Sequence, residues 1–417
     1  MGAPATPPFQ QTGPVLEPPP SSRDQSSRQA AEAVVEGFSI VVGGPVYDLL
    51  LRFHLIRQSL PNVWRRVVVL IAITWLPLLL LSLKDGLAFG HQVRIPFLYD
   101  FSIYGRFLVA LPLLMVAELV IDPAIRQAMA EFIDGGLVQG QELTAFENVL
   151  HRAQRLRDSW IPEVILLALA FFPVFMFQHE WTTGAVSSWH TTPQGLSAAG
   201  WWFAVFSAPL LRFIIYRWIV RYFLWALILW RISRLHLTLM PTHPDRAAGL
   251  NFLTMTQNKF GILFCALGCT FAGRVANTML FEGAPLTSFK ALIVGFIVIS
   301  MILALLPLAL LAPTLREVRK AGLLAYGRLA NAYTESFDRK WVHGFERPSE
   351  PLLGTADIQS LADLGNSFAC IEGMSLAPIS KRLVVQLAVQ IVTPLIPIII
   401  FGTPTPELVN ALMKMDI

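Results

Sequence analysis

Seven apolar stretches, each long enough to cross about 30 Å of hydrocarbon as a helix, constrain this chain more than any other feature. They run Val67 to Leu83, Phe101 to Ile121, Trp160 to Phe177, Gly200 to Tyr222, Phe260 to Phe281, Ala291 to Ala312 and Leu383 to Phe401. In lipid a segment must pair its own backbone N–H and C=O groups, and runs of this length do so as helices. The pattern predicts an all-α, polytopic membrane helix bundle of about seven transmembrane helices. A composition of 54% hydrophobic and 14% charged residues excludes an ordinary soluble domain.

The basic residues set an orientation. Segments 1–66, 122–159, 223–259 and 313–382 hold 6, 4, 4 and 9 Lys plus Arg, whereas the intervening segments hold 2, 0, 1 and 1. The positive-inside rule then favours N-in, C-out, and miscounting one span would swap every later loop and collapse the asymmetry. Anionic lipid headgroups suffice as partners for the net charge of +4, which calls for no nucleic acid; a homo-oligomer stays open. Cys265 and Cys269 lie within a span and Cys370 outside one, a distribution that suits neither a disulfide framework nor a zinc ribbon.

Residues 1–30 are rich in Pro, Ser and Gln and read as a disordered cytoplasmic tail, without the basic start and short apolar core of a signal peptide. In 31–66, Val46, Leu49, Leu50, Phe53 and Ile56 recur at helical spacing, as in a cytoplasmic or interfacial amphipathic helix. Residues 67–401 form the membrane domain. Its loops 122–159, 223–259 and 313–382 carry amphipathic runs at Glu142–Asp158, Leu315–Trp341 and Ala356–Ile371, which predict a small helical cytoplasmic layer. Residues 402–417 form a short external tail, and Trp181 and Trp189, on the longest outer loop, suit an interfacial belt.

A charge at mid-bilayer costs at least about 2.5 kcal/mol, so each one within a span needs a partner, a route to water or a task. Glu118 and Glu163 fall near the cytoplasmic ends of the second and third spans, within reach of Arg212 or Arg217 on the fourth, as a buried structural pair or a gated site. Arg274 lies about four turns into the fifth span, in a half where no span offers an acid. Gly261, Cys265, Cys269 and Gly273 recur every fourth residue of that span, a spacing that admits close helix packing and predicts a central helix with Arg274 inside the bundle. The last span sets Gln386, Gln390 and Thr393 on one face ahead of Pro394 and Pro397. Arg274, Arg212, Glu118, Glu163, Gln386 and Gln390 are the candidate substrate-binding residues.

The fourth span, kinked at Pro209, is expected to run on to about Leu235 and end at Pro241-Thr242-His243-Pro244-Asp245. His243 and Asp245, with Asp357 or Asp363 reaching over from the last cytoplasmic loop, form a cytoplasmic-face motif. Its bland reading is a turn in which Asp245 caps the next helix. The chain carries no phosphate-binding glycine loop, no metalloprotease motif and no nucleophile elbow, so catalytic residues, cofactor and metal site stay unassigned.

Pro241 to Ala247 with Gly249-Leu250 and Phe252-Leu253, together with Gly354 to Leu364, resembles an uncharacterised family of bacterial multi-pass inner-membrane proteins. Its members read Gly where this chain has Ala248 and Asn251. The resemblance implies a bacterial inner-membrane location and the same layout, and brings no activity. Three functions stay open: transport or permeation of a small solute, an anion foremost; a signalling or scaffold protein anchored by its spans; and a membrane enzyme with a cytoplasmic-face site.

Overall fold

The computed structural model describes residues 22–44, 63–90, 92–176, 187–192, 195–343 and 356–402. Among these, eleven helices are α1 (Ser22–Glu36), α2 (Val63–Lys84), α3 (Phe101–Asp134), α4 (Glu142–Asp158), α5 (Trp160–Met176), α6 (Ala198–Ile232), α7 (Leu253–Glu282), α8 (Leu286–Ala309), α9 (Ala312–Phe337), α10 (Ala356–Glu372) and α11 (Lys381–Ile400). The only strands there are Thr191–Thr192 and Gly195–Leu196, a two-stranded hairpin. The protein is an all-α polytopic membrane bundle in which α2, α3, α6, α7, α8 and α11 are long and apolar enough to span a bilayer.

The third expected span is shorter. Helix α5 has 17 residues, about 26 Å of rise, and its last expected residue, Phe177, lies outside the described ones. It packs along α6, with Glu163 meeting Arg217 near its start; after the undescribed residues, Ser187 Oγ accepts the Arg94 N–H at 3.1 Å. One end of the bundle bears α1, α4, α9 and α10, the other the turn ahead of α3 and the Thr191–Leu196 strand pair.

Helix α7 is central, as its small residues predict. A Cβ on Gly273 would stand 2.8 Å from the Phe101 carbonyl oxygen, and one on Gly105 of α3 would stand 2.6 Å from the Cys269 carbonyl oxygen. Gly268 abuts Pro394 of α11, and Gly261 makes room for Gln390. Backbone cannot yield as a side-chain tip can, so Gly105→Val is expected to cost about 2 kcal/mol by overpacking, measured by unfolding in detergent. A change below about 1 kcal/mol, within reach of ordinary surface substitutions, would show that the two helices can separate freely.

Prolines shape the long helices. Residues Tyr104–Ala110 and Phe203–Ser207 wind as wider π turns just ahead of Pro112 and Pro209, where the missing proline N–H leaves a carbonyl to be relieved. From Ala208 the α6 helix is unbroken, but it stops at Ile232, short of the expected Leu235. Buried Gln257 joins three helices: it donates to the Ala304 carbonyl at 2.6 Å and to Tyr222 Oη at 3.1 Å, and accepts from Trp225 Nε1 at 3.1 Å.

Several expectations are corrected. Residues 22–30 belong to α1, whose Ala31 and Val35 are buried, rather than to a tail; the prolines that suggested disorder stop at Pro20. The amphipathic run between Val46 and Ile56, the tail before Ser22 and the stretch after Gly402 lie outside the described residues. Trp189 is fully buried rather than interfacial, because its indole N–H is held by Asp100 at 2.8 Å. Arg274 is exposed, not inside the bundle. At 100° per residue it points away from Gly273, whose side of α7 is the one that meets α3.

Candidate functional site

The sequence-predicted residues fall in five separate places. Near the α1 end, Glu118 accepts from Arg66 of α2 at 2.8 Å and Arg221 of α6 at 3.0 Å, and Glu163 lies 3.5 Å from Arg217. These are the ion pairs between the second or third span and the fourth that the sequence allowed, with Arg221 rather than Arg212 on Glu118. Arg221 also donates to the Val41 carbonyl at 3.0 Å. Beside it, Asp122 accepts the Ser39 hydroxyl at 2.6 Å and the Ile40 N–H at 3.2 Å, and Arg157 donates to the Ser39 carbonyl. Residues 38–42 are thereby clamped into the bundle by buried charges of three helices. Every acid in this network has a partner, which is a structural arrangement.

In the other half, Arg212 donates to the Ala170 carbonyl at 3.2 Å. Asp100, just ahead of α3, accepts the Trp189 indole N–H here at 2.8 Å. Asp100 precedes the second span, so a search confined to spans missed it. It also accepts from Asn277 Nδ2 at 2.7 Å, and Asn277 Oδ1 accepts the Phe101 N–H at 2.9 Å. The Trp189 ring packs 5.2 Å from Phe97, so this cluster ties the start of α3 to α7 at that end of the bundle.

The His-Pro-Asp turn is a keystone of the other end. Asp245 accepts N–H bonds from Ala247 at 2.8 Å, Gly249 at 3.2 Å and Asn251 at 3.1 Å, and His243 Nδ1 lies 2.8 Å away. The carboxylate folds its own loop instead of capping α7, which has no side-chain cap at Phe252. Burial would raise its pKa, but the three backbone N–H donors and His243 outweigh that and hold it below the ordinary carboxylate value. Arg246 and Ala248 adopt left-handed backbone, with φ of 56° and 55°. The loop joins two parts of the helical layer: Thr238 N–H bonds the Leu137 carbonyl at 2.8 Å, Ser375 N–H bonds the Arg246 carbonyl at 2.8 Å, and Gly322 of α9 abuts Pro241.

Asp357 and Asp363 do not reach this turn. Asp357 sits at the far end of the α9–α10 pair, 2.8 Å from Lys340 Nζ and 3.0 Å from Trp341 Nε1, which hold its pKa low. Asp363 accepts from Gln359 of its own helix. Among the described residues no three His, Cys, Asp or Glu side chains gather in a group fit for a metal ion.

Gln386 leads to an open site. A cleft of about 600 Å³ sinks between α3, the start of α7 and the start of α11, at the end of the bundle that carries α4. Ala124, Gln127, Ala128 and Glu131 line it from one face of α3, at the i, i+3, i+4, i+7 spacing of a helix. Asn258 and Lys259 line it from α7, and Ser380, Arg382 and Gln386 from α11. Ser380 starts α11 here by accepting the Leu383 N–H at 3.1 Å. Gln390, one turn below Gln386, donates to Asn258 Oδ1 at 2.9 Å. The volume lies within the range of small-molecule sites. Lys259 and Arg382 are exposed and form no ion pair among the described residues. Sequence reasoning missed both as plain loop charges; the signal was their place at the polar start of a span, one turn from an amide.

Compared with known proteins, the chain matches no family model, no curated protein and no solved structure.

Proposed function

We propose that this protein is a multi-pass protein of a bacterial inner membrane, oriented N-in and C-out, that transports or admits a small anionic solute. The observation that carries the reading is the cleft, which presents two cations without an ion pair among the described residues and several amides at one end of the bundle. The concentration of basic residues on segments that share the cleft's end supports placing that end in the cytoplasm. The motifs shared with the bacterial inner-membrane family support the location. In this reading the structure is an inward-open state: solute enters at Lys259 and Arg382, and Gln386 and Asn258, the latter held by Gln390, form the floor. The Gly105 and Gly273 contacts, with the Asp100, Trp189 and Asn277 cluster, form the outer seal.

Uptake of small anions into liposomes containing the purified protein tests this. Lys259→Gln with Arg382→Gln is expected to weaken solute affinity by about tenfold or more, while Arg274→Ala, outside the route, leaves flux unchanged. Equal flux by the double variant and the parent protein would sink the assignment of the cleft.

A docking role is the second reading, favoured by the α9–α10 pair. It leaves Leu324, Leu329 and Ile358 exposed at 56%, 54% and 44%. If docking is the function, substituting these three with Ser abolishes activity in cells while flux in liposomes persists.

A further inference from the structure

Among the described residues, the cleft is lined by α3, α11 and the start of α7 with the turn before it. Helices α3 and α11 both pack on α7 but not on each other, which leaves the side between them without a covering helix among the described residues. Its cations stand where the apolar runs of α7 and α11 begin. In a bilayer this is the depth of lipid phosphates. Below Ala124, helical spacing puts Val120 and Val116 on the same face of α3. On α11, Val385 and Val389 lie beside Gln386 and are 61% and 58% exposed. The cleft thus offers a cationic, amide-lined head above an apolar track, the pattern an amphiphile carries in reverse. A soluble anion would use the head and leave the track empty.

From this geometry, and resting on the reading of the cleft as an anion site, we propose that its ligand is the phosphate headgroup of an anionic phospholipid. The lipid enters from the inner leaflet between α3 and α11. Its phosphate is held by Lys259 and Arg382, with Gln386 and Gln127 as amide donors. Its acyl chain lies along Val120 and Val389. Glu131 on the rim disfavours a second anion, so one lipid is bound at a time.

Native mass spectrometry of the full chain released from nanodiscs tests the proposal. Nanodiscs of phosphatidylcholine alone are compared with nanodiscs containing a minority of phosphatidylglycerol or of phosphatidic acid. The parent protein is expected to retain one anionic phospholipid. Lys259→Gln with Arg382→Gln is expected to lower that retention by roughly tenfold, and Arg274→Gln to leave it unchanged. Both cleft side chains are exposed, and matched melting curves establish that the double variant is folded. Val120→Trp, which fills the track and spares the cations, is expected to lower retention as well. In a second arm, inorganic phosphate is titrated into protein in phosphatidylcholine nanodiscs. Saturable phosphate binding without lipid retention would overturn the lipid proposal and leave an anion site. Retention equal in parent and double variant would also overturn it. Failure to bind lipid, phosphate or any transported anion would overturn the anion reading too.

Discussion

Glu118→Gln is expected to cost the folded protein about 3–5 kcal/mol, the largest single effect within the bundle. The Glu118 side chain is 6% exposed and takes Arg66 from α2 and Arg221 from α6 on its two oxygens. Removing its charge strands two guanidinium groups among apolar side chains, whereas each pair taken alone contributes little net stability. Replacing the whole set with Glu118→Leu, Arg66→Met and Arg221→Met is therefore expected to recover most of the loss, less the hydrogen bond from Arg221 to Val41. Denaturant titration in detergent micelles measures both. A loss under about 1 kcal/mol for Glu118→Gln would mean that water reaches the pair and that the interior is wet there.

Asp245→Ala comes next, at about 2–4 kcal/mol, because it removes charge-assisted bonds to three N–H groups and to His243 and leaves those donors inside a tight loop. The expected consequence is loss of register between the α3–α4 turn at Leu137 and the loop after α10 at Ser375, both of which bond this loop. Because the folded pKa is depressed, the carboxylate stabilises fully above its unfolded value of about 3.9 and loses that contribution as pH falls through the folded value. The parent protein should therefore weaken on acidification below about pH 4 more than Asp245→Ala does. Parallel pH curves for the two would refute the role of the carboxylate. Asp245→Asn, which keeps an acceptor oxygen, should fall between them.

What the sequence revealed was what is periodic. The α4 helix begins and ends at the expected Glu142 and Asp158, because its amphipathic stripe is bounded by turn residues. The four-residue ladder of small side chains correctly placed α7 at the centre, since close approach needs small residues whatever the partner. Facing is harder than spacing. Arg274 sits one residue from Gly273, and that 100° step carries it out of the packed face, so a central helix did not imply a central arginine. Contacts between residues far apart in the chain left no local pattern: nothing near Asp122 announces Ser39, and nothing near Lys259 announces Arg382. The cleft is made by the spacing of three helices, a quantity that no single helix encodes.

The seat of residues 38–42 imposes an order on synthesis. This segment emerges before any span, yet the arginine that takes the Val41 carbonyl lies 180 residues later, and Asp122, which takes Ser39, lies on the second span. Asp122 can take Ser39 as soon as α3 has been made, but the Val41 carbonyl has its arginine only once α6 follows. Docking of this segment is thus completed by contacts made far along the chain, a late step in assembly rather than its first.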